Sequence, residues 1–430
     1  MLPEIQNAVN QSLLQCFIQA PLQNQKLSDR FFSQQAQKLT GINCCDVEQI
    51  ARNYSQMVST NCDLCVDEKT KGQDIGWWAE QFLTVHVRFL LEMIAKLSRT
   101  DTREVFPVGF NKDQVLAYLK EELCIAVQTA RLEVSRKALI KPNMSSQAFA
   151  KALKAHTSKV YSAITALSPN SDEFLCLYTG HETHAVYVNW TARDGGLHAS
   201  LCNLGDGISN YHYTTPGQPV YTLDVESSNP FAPLQALDYC NNLTLAPFLS
   251  AAKAFPLIYQ AKGAQYTLSE PGEIAQTHGN CVGKNYLLGM RQRFLTQTGN
   301  DALYRWLYLR EIQVALGAYS VNIQLQANLC ITPQGATQIA NAVISSQASF
   351  NTVDRPRIEM ILTRTVPACV PTTATYRPST TPARTVVRAP QETYLGFVLP
   401  ETPAVNRGRV ADYRIASTSP SSPMFTNRHR

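Results

Sequence analysis

At Ser168-Pro169-Asn170-Ser171 the chain changes its hydrophobic period. Before that point the apolar residues recur at helical spacing, and the pattern predicts helices over Ile5 to Ala20, Gln25 to Leu39, Asp46 to Val58, Trp77 to Leu97, Lys112 to Leu139 and Ser145 to Leu167, with Asp46, Asn111 and Ser145 as caps or first-turn residues. After it the alternation is that of strands: Glu173 to Tyr178, His184 to Trp190 and Leu197 to Asn203. Asp194-Gly195-Gly196 is a strong turn between the last two, so the three strands read as an antiparallel meander. A helical half followed by a meander implies an α+β chain rather than an alternating one. At 430 residues it is too long for one ordinary core, and we divide it into a helical domain over 1–167, a second domain over 168–366 and a tail over 367–430.

The second domain is less regular after the meander. Pro219 to Glu270 is mixed, with a turn cluster at Ser227-Ser228-Asn229-Pro230 and a helix over Leu245 to Lys262. Ala302 to Leu316 and Gln334 to Ser346 read as helices, Asn322 to Leu329 as a strand or connector, and Arg357 to Thr365 as a last strand. The tail holds Pro, Thr, Ser and Arg with little period and reads as disordered, with Tyr394 to Leu399 its one docking-like stretch. From Pro371 to Arg430 it carries eight Arg against three acidic residues, which is the whole of the chain's net charge of +5. The rest is close to neutral and shows no basic stripe with interleaved aromatics, which argues against a nucleic-acid partner.

The apolar stretch from Gly76 to Leu97 is broken by Glu80, His86, Arg88, Glu92 and Lys96, so it reads as an amphipathic helix and no membrane span is expected. The start of the chain lacks a basic segment followed by an apolar one, so Sec export is not expected. Twelve cysteines without such a segment point to a reducing, cytoplasmic setting with free thiols. Cys44-Cys45 and Cys62-x-x-Cys65 raise a zinc site, but adjacent cysteines ligate one metal poorly and the segment between looks helical, so free thiols are preferred and no metal or cofactor is assigned.

One cysteine differs in context. Gln276-Thr277-His278-Gly279-Asn280-Cys281 opens the helix that continues through Tyr286 to Leu295, so Cys281 is a helix N-terminal thiol, where the unpaired N–H groups and the dipole favour the thiolate. Gln276 can aim its amide at an oxyanion formed when that thiolate attacks a carbonyl. His184 begins one strand of the hairpin and Asn203 ends the next, which puts them near one edge of the sheet, as a base and the residue that orients it. Asp206 competes with Asn203 for the orienting role, and His181 competes with His184 for the base. His181-x-x-His184 has no third ligand at a metal-binding spacing, and His278 is too close to Cys281 along the loop to act as its base.

The order His184, then Asn203 or Asp206, then Gln276, then Gly279-Asn280-Cys281 opening a helix resembles the ubiquitin-like-protein peptidase clan of cysteine proteases. The likeness covers roughly residues 170 to 300. It implies a papain-like core in which Cys281 attacks a carbonyl, His184 is the base, Asn203 or Asp206 orients it and Gln276 lines the oxyanion hole, with ubiquitin or a ubiquitin-like modifier as substrate and Trp190 or residues near Tyr286 lining a groove for a Gly-Gly tail. The sequence departs from the clan in having Ala185 where an aromatic is common and Val282 directly after the cysteine. Helical domain, thiol-protease core and unstructured tail together look like a divergent bacterial effector, delivered into a host cell by a route that needs no signal peptide and docking host proteins through the helical domain or tail. Two other readings stand beside it. One is an acetyltransferase using the same Cys-His pair, with Lys284, Arg291 and Arg293 forming a phosphate site for CoA or an inositol phosphate; the other is a non-catalytic scaffold that binds host protein.

Overall fold

The computed structural model describes residues 3–19, 25–42, 79–99, 106–139, 144–169, 173–193, 196–212, 218–227, 233–261, 264–273, 275 and 281–311. Among these residues five helices come first: α1 (Pro3–Gln19), α2 (Gln25–Thr40), α3 (Ala79–Ser98), α4 (Lys112–Lys137) and α5 (Ser146–Thr165). Two of them start where the capping residues say they should. Asn111 accepts from Gln114 N at 2.9 Å while the Gln114 side chain accepts from Asn111 N at 2.9 Å, a reciprocal capping box, and Ser145 accepts from Ala148 N at 3.2 Å.

The sheet follows, with β1 (Leu175–His181), β2 (His184–Arg193) and β3 (Gly196–Cys202) as the expected meander. A four-residue helix α6 (Ile208–Tyr211) leads to β4 (Val220–Ser227), then come α7 (Pro233–Leu245), a 3-10 turn (Ala246–Phe248), α8 (Ala251–Tyr259), β5 (Ala264–Glu273), α9 (Cys281–Thr298) and, at the end of the described residues, helix α10 over 302–311. The five strands stand in chain order and all neighbours are antiparallel. The described residues therefore form an α+β structure. The mixed region from Pro219 to Glu270 holds β4, α7 and most of β5, and one expectation is corrected: the single helix over Leu245 to Lys262 is two pieces, because Pro247 opens a 3-10 turn and Ser250 starts a new helix.

Both faces of the sheet are covered. Cys176 and Tyr178 of β1, Tyr187 of β2 and Cys202 at the end of β3 join one buried apolar cluster with α1 to α4, α9 and α10, so residues on either side of position 167 share a core. On the other face Trp190 meets Tyr239 of α7 at 5.9 Å between ring centroids, and the Thr179 hydroxyl donates to the Leu243 carbonyl at 2.7 Å. Alternation along a strand assigns each residue to one of these faces. On β2, Tyr187 and Asn189 face α9, while Val186, Val188 and Trp190 face α7 and α8. No helix among the described residues is long and apolar enough to cross a membrane. The Asp46 to Val58 helix, the four cysteines at 44, 45, 62 and 65, every expected element beyond residue 311 and the tail lie outside the described residues.

Candidate active site

A two-residue turn, Glu182-Thr183, closes β1 onto β2 and pairs His181 with His184 across the hairpin. Gly180 makes the turn possible: its φ is 122°, and a Cβ there would collide with the His184 carbonyl oxygen. Glu182 N–H donates to the Leu249 carbonyl at 3.1 Å, tying the turn to the 3-10 segment. The two imidazoles lie 5.5 Å apart between centroids, and His181 stands edge-on to Phe255 of α8 at 5.1 Å.

Each histidine takes its own partner. His184 Nε2 meets Asn203 Oδ1 at 2.9 Å, and His181 Nε2 meets Asp206 Oδ2 at 3.0 Å. The first contact fixes a tautomer, because the Asn203 amide is oriented by groups that have only one role. Its Oδ1 also receives the Gly205 N–H at 3.0 Å, and its Nδ2 donates to the Asp206 carbonyl at 2.8 Å and to the Tyr259 hydroxyl at 2.9 Å. A main-chain N–H cannot accept and a carbonyl cannot donate, so oxygen faces His184 and His184 Nε2 carries the proton. Nδ1 is then the lone-pair nitrogen of His184. On His181 both nitrogens are engaged, since Thr183 N–H and the Thr183 hydroxyl approach Nδ1 at 3.4 and 3.3 Å.

Burial pushes the His184 imidazole down to about 4, against smaller opposing effects of the Asn203 bond and the Asp206 carboxylate. The same cause brings His212, whose Nε2 lies 3.4 Å from the Tyr259 hydroxyl, down to about 4. At neutral pH the His184 ring is therefore uncharged and holds a lone pair.

Cys281 is the first residue of the 18-residue helix α9, and the Ala185 N–H donates to its Sγ at 3.4 Å. One turn along the helix, Asn285 clamps two main-chain groups of the sheet. Its Nδ2 donates to the Ala185 carbonyl at 2.6 Å and its Oδ1 accepts the Leu204 N–H at 2.8 Å. Among the described cysteines Cys16, Cys124, Cys176, Cys202 and Cys240 are buried while Cys281 is half-buried. Burial raises the thiols of Cys16, Cys124 and Cys240 to about 12 and Cys176 to about 11, and pushes Cys202 up as well, so these are packing residues.

The sulfur and the His184 ring meet the same short stretch of β2 from different sides. Cys281 approaches residue 185 with α9, whereas His184 bonds to Asn203 and lies beside His181, and these in turn meet Tyr259 and Phe255 of α8. The structure thus brings His184 with Asn203, His181 with Asp206, and Cys281 to within one residue of His184 along the chain. Gln276, His278, Gly279 and Asn280 lie outside the described residues.

Two expectations about the surroundings are corrected. Trp190 and Tyr286 are both fully buried, the latter with its hydroxyl on Glu122 at 2.5 Å, so neither lines a surface groove. Arg291 is held by Glu273 at 2.7 Å and Asp301 at 2.9 Å, and Arg293 by Glu122 at 2.6 Å; both, like Lys284, are buried, which removes the phosphate site assigned to them. No cluster of three or more metal-ligating side chains occurs among the described residues. Asn285 and Tyr259 were not singled out from sequence. For Asn285 the signal was present, a short amide one helical turn below the cysteine; for Tyr259 there was none, since its hydroxyl reaches Asn203 only through the packing of α8. Compared with family models, with curated proteins and with solved structures, the chain gave no match.

Proposed function

We propose that the chain is a cysteine peptidase or isopeptidase in which Cys281 attacks a carbonyl, His184 handles the proton and Asn203 holds His184 in its working tautomer. The observation that carries this reading is the setting of Cys281: a half-buried thiol at the start of an 18-residue helix, with a main-chain N–H aimed at its sulfur, when every other described cysteine is buried. Helix terminus and N–H donor both favour the thiolate, which is the nucleophile.

In the proposed reaction the thiol proton passes to His184 Nδ1, and sulfur forms a bond to the carbonyl carbon, whose oxygen takes the charge. The tetrahedral species collapses, the C–N bond breaks, and the leaving amine takes the proton back from the imidazolium. Water then hydrolyses the thioester by the same route, regenerating the thiol. Ring and sulfur reach β2 from its two sides, so the proposed proton transfer requires the imidazole to turn toward the thiol around the first residue of the strand. A papain-like core and a substrate of the ubiquitin class are what the resemblance of the order His184, Asn203, Gln276, Cys281 to the ubiquitin-like-protein peptidase clan implies, and belong to the same proposal. Hydrolysis is preferred to transfer from acetyl-CoA because Arg291 and Arg293 are committed to internal carboxylates.

The test is site-resolved alkylation by a small haloacetamide at pH 7, read by mass spectrometry. Cys281 should react about tenfold faster than free cysteine, of which only a few per cent is thiolate at that pH, and His184→Ala should slow it. An ordinary rate that is indifferent to His184 would refute the proposal and leave a binding scaffold. With that established, labelling by an activated ubiquitin probe, lost in Cys281→Ala, tests the substrate class.

A further inference from the structure

The loop from Asn203 to Gly207 has little stiffness of its own. It contains Gly205 and Gly207, the latter at φ 82°, and its outermost side chain, Asp206, is 58% exposed. Yet two main-chain groups of this loop, Gly205 N–H and Asp206 C=O, decide which way the Asn203 amide points. What ties the loop to the hairpin is the Asp206 carboxylate, which reaches back to His181, a ring only 8% exposed and held on its other sides by Thr183 and Phe255.

We propose that His181 and Asp206 are a positioning pair: their bond holds the 203–207 loop against the hairpin and thereby fixes the amide orientation of Asn203 and the tautomer of His184. This rests on His184 being the base of the proposed reaction. With the tie cut, the Asp206 carbonyl can leave Asn203 Nδ2, and the amide is free to turn over. In the turned state Nδ2 faces His184 Nε2, which must then be the lone-pair nitrogen, and the proton moves to Nδ1. That ring cannot take a proton at Nδ1. The pair is not an alternative base, since both nitrogens of His181 are occupied. The titratable groups on the side of His184 are His181 from β1, Asp206 from the loop and, through Asn203, Tyr259 from α8 with His212 behind it; Cys281 of α9 meets residue 185 from the other side of β2.

The experiment uses the full chain with 15N-labelled histidine. Long-range N–H correlation spectra report the tautomer of each ring, and the His184 signals are assigned by their loss in His184→Gln. Wild type should show His184 protonated at Nε2. Asp206→Ala should populate the Nδ1–H form and slow Cys281 alkylation about tenfold, the weight of one hydrogen bond on the orientation of the amide. Asp206→Asn keeps an acceptor for His181 Nε2–H and should restore both readouts. An unchanged tautomer and rate in Asp206→Ala would overturn the inference, and so would an Asp206→Asn variant as impaired as Asp206→Ala, since charge rather than position would then be the cause. If the tautomer responds while Cys281 proves slow and indifferent to His184, the positioning pair stands and the reading of His184 as base fails.

Discussion

Replacing Arg293 by methionine removes the cation from a fully buried ion pair. Glu122 of α4 and Arg293 of α9 are each 1% exposed, and Arg293 Nη2 reaches both carboxylate oxygens, at 2.6 and 2.7 Å. Nη1 donates to Asn189 Oδ1 at 2.9 Å and to the Tyr187 hydroxyl at 3.2 Å. Around them the charges balance. Burial would lower His86, but the Glu311 carboxylate 2.9 Å away and Glu122 more than reverse that and raise it to about 9. Two carboxylates thus face one guanidinium and one imidazolium. Arg293→Met leaves Glu122 buried without its main partner, and breaking such a pair from one side costs about 3–5 kcal/mol, a large share of a domain's stability of roughly 5–15 kcal/mol. Removing both charges as Glu122→Leu with Arg293→Met leaves only packing differences, so the double variant should recover most of the loss. Urea unfolding at pH 7, completed as a double-mutant cycle, measures the coupling directly. A single variant within about 1 kcal/mol of wild type, or a double variant as costly as the sum of the singles, would refute the account.

The same titrations set a stability profile in pH. His86 has its pKa raised, so its contribution is full below about 6.5 and is lost as pH rises through about 9, by roughly 3 kcal/mol; His86→Gln should flatten that alkaline limb in unfolding experiments at several pH values. His156, His184 and His212 are each brought down to about 4, chiefly by burial, so their contributions are full above about 6.5 and are lost as pH falls toward 4. Stability should therefore peak near pH 6.5 and fall more steeply on the acid side, where three groups take up protons; a flat profile between pH 4.5 and 6.5 would contradict these burials. Gly289→Ala puts a methyl into the Tyr187 ring where α9 lies on β2, which should cost about 1–3 kcal/mol by overpacking, read as a lower unfolding midpoint. Gly180→Ala combines φ 122° with a collision at the His184 carbonyl, and should displace His184 from Asn203 as well as destabilise the hairpin, visible in the same 15N-histidine spectra.

The helices of the first half and the β1–β2–β3 meander were legible because period and turn chemistry agreed there. β4 and β5 were not, and the reason is visible in β5. Ser269, Glu270, Pro271 and Gly272 carry turn and breaker signals, but β5 is an edge strand, where proline is tolerated and four of the ten residues stay exposed. The hairpin was enough to bring His184 near Asn203. It was not enough to assign Asn203 to His184 and Asp206 to His181, because that depends on a glycine at φ 82° turning the loop back. Nor could alternation say which face of β2 meets the cysteine helix. Val186, Val188 and Trp190 on one side and Tyr187 and Asn189 on the other are all buried, so the strand has no wet face to orient it.

The placement of the thiol illustrates why hydrophobic period alone is blind to such a site. Cys281, Asn285, Gly289 and then Gln292 and Arg293 follow one another at steps of three and four along α9, so they share one face of the helix. None of the contacts this face makes is a large apolar side chain against another. Cys281 meets a main-chain N–H of β2, Asn285 clamps the Ala185 carbonyl and the Leu204 N–H, and Gly289 lets the Tyr187 ring lie against the helix backbone. Gln292 and the Gly289 carbonyl accept from Asn189, and Arg293 continues from Asn189 to Glu122. A period search finds the apolar rows that anchor α9 to α3, α4 and α10 and passes over this one. Yet it is the polar row that sets the height of the helix on β2. A shift of α9 by one turn, about 5.4 Å, would separate all five groups from their partners together. The position of the sulfur beside residue 185 is therefore held by hydrogen bonds up to three turns away, and variants at Asn285 or Arg293 should displace Cys281, read as a changed alkylation rate.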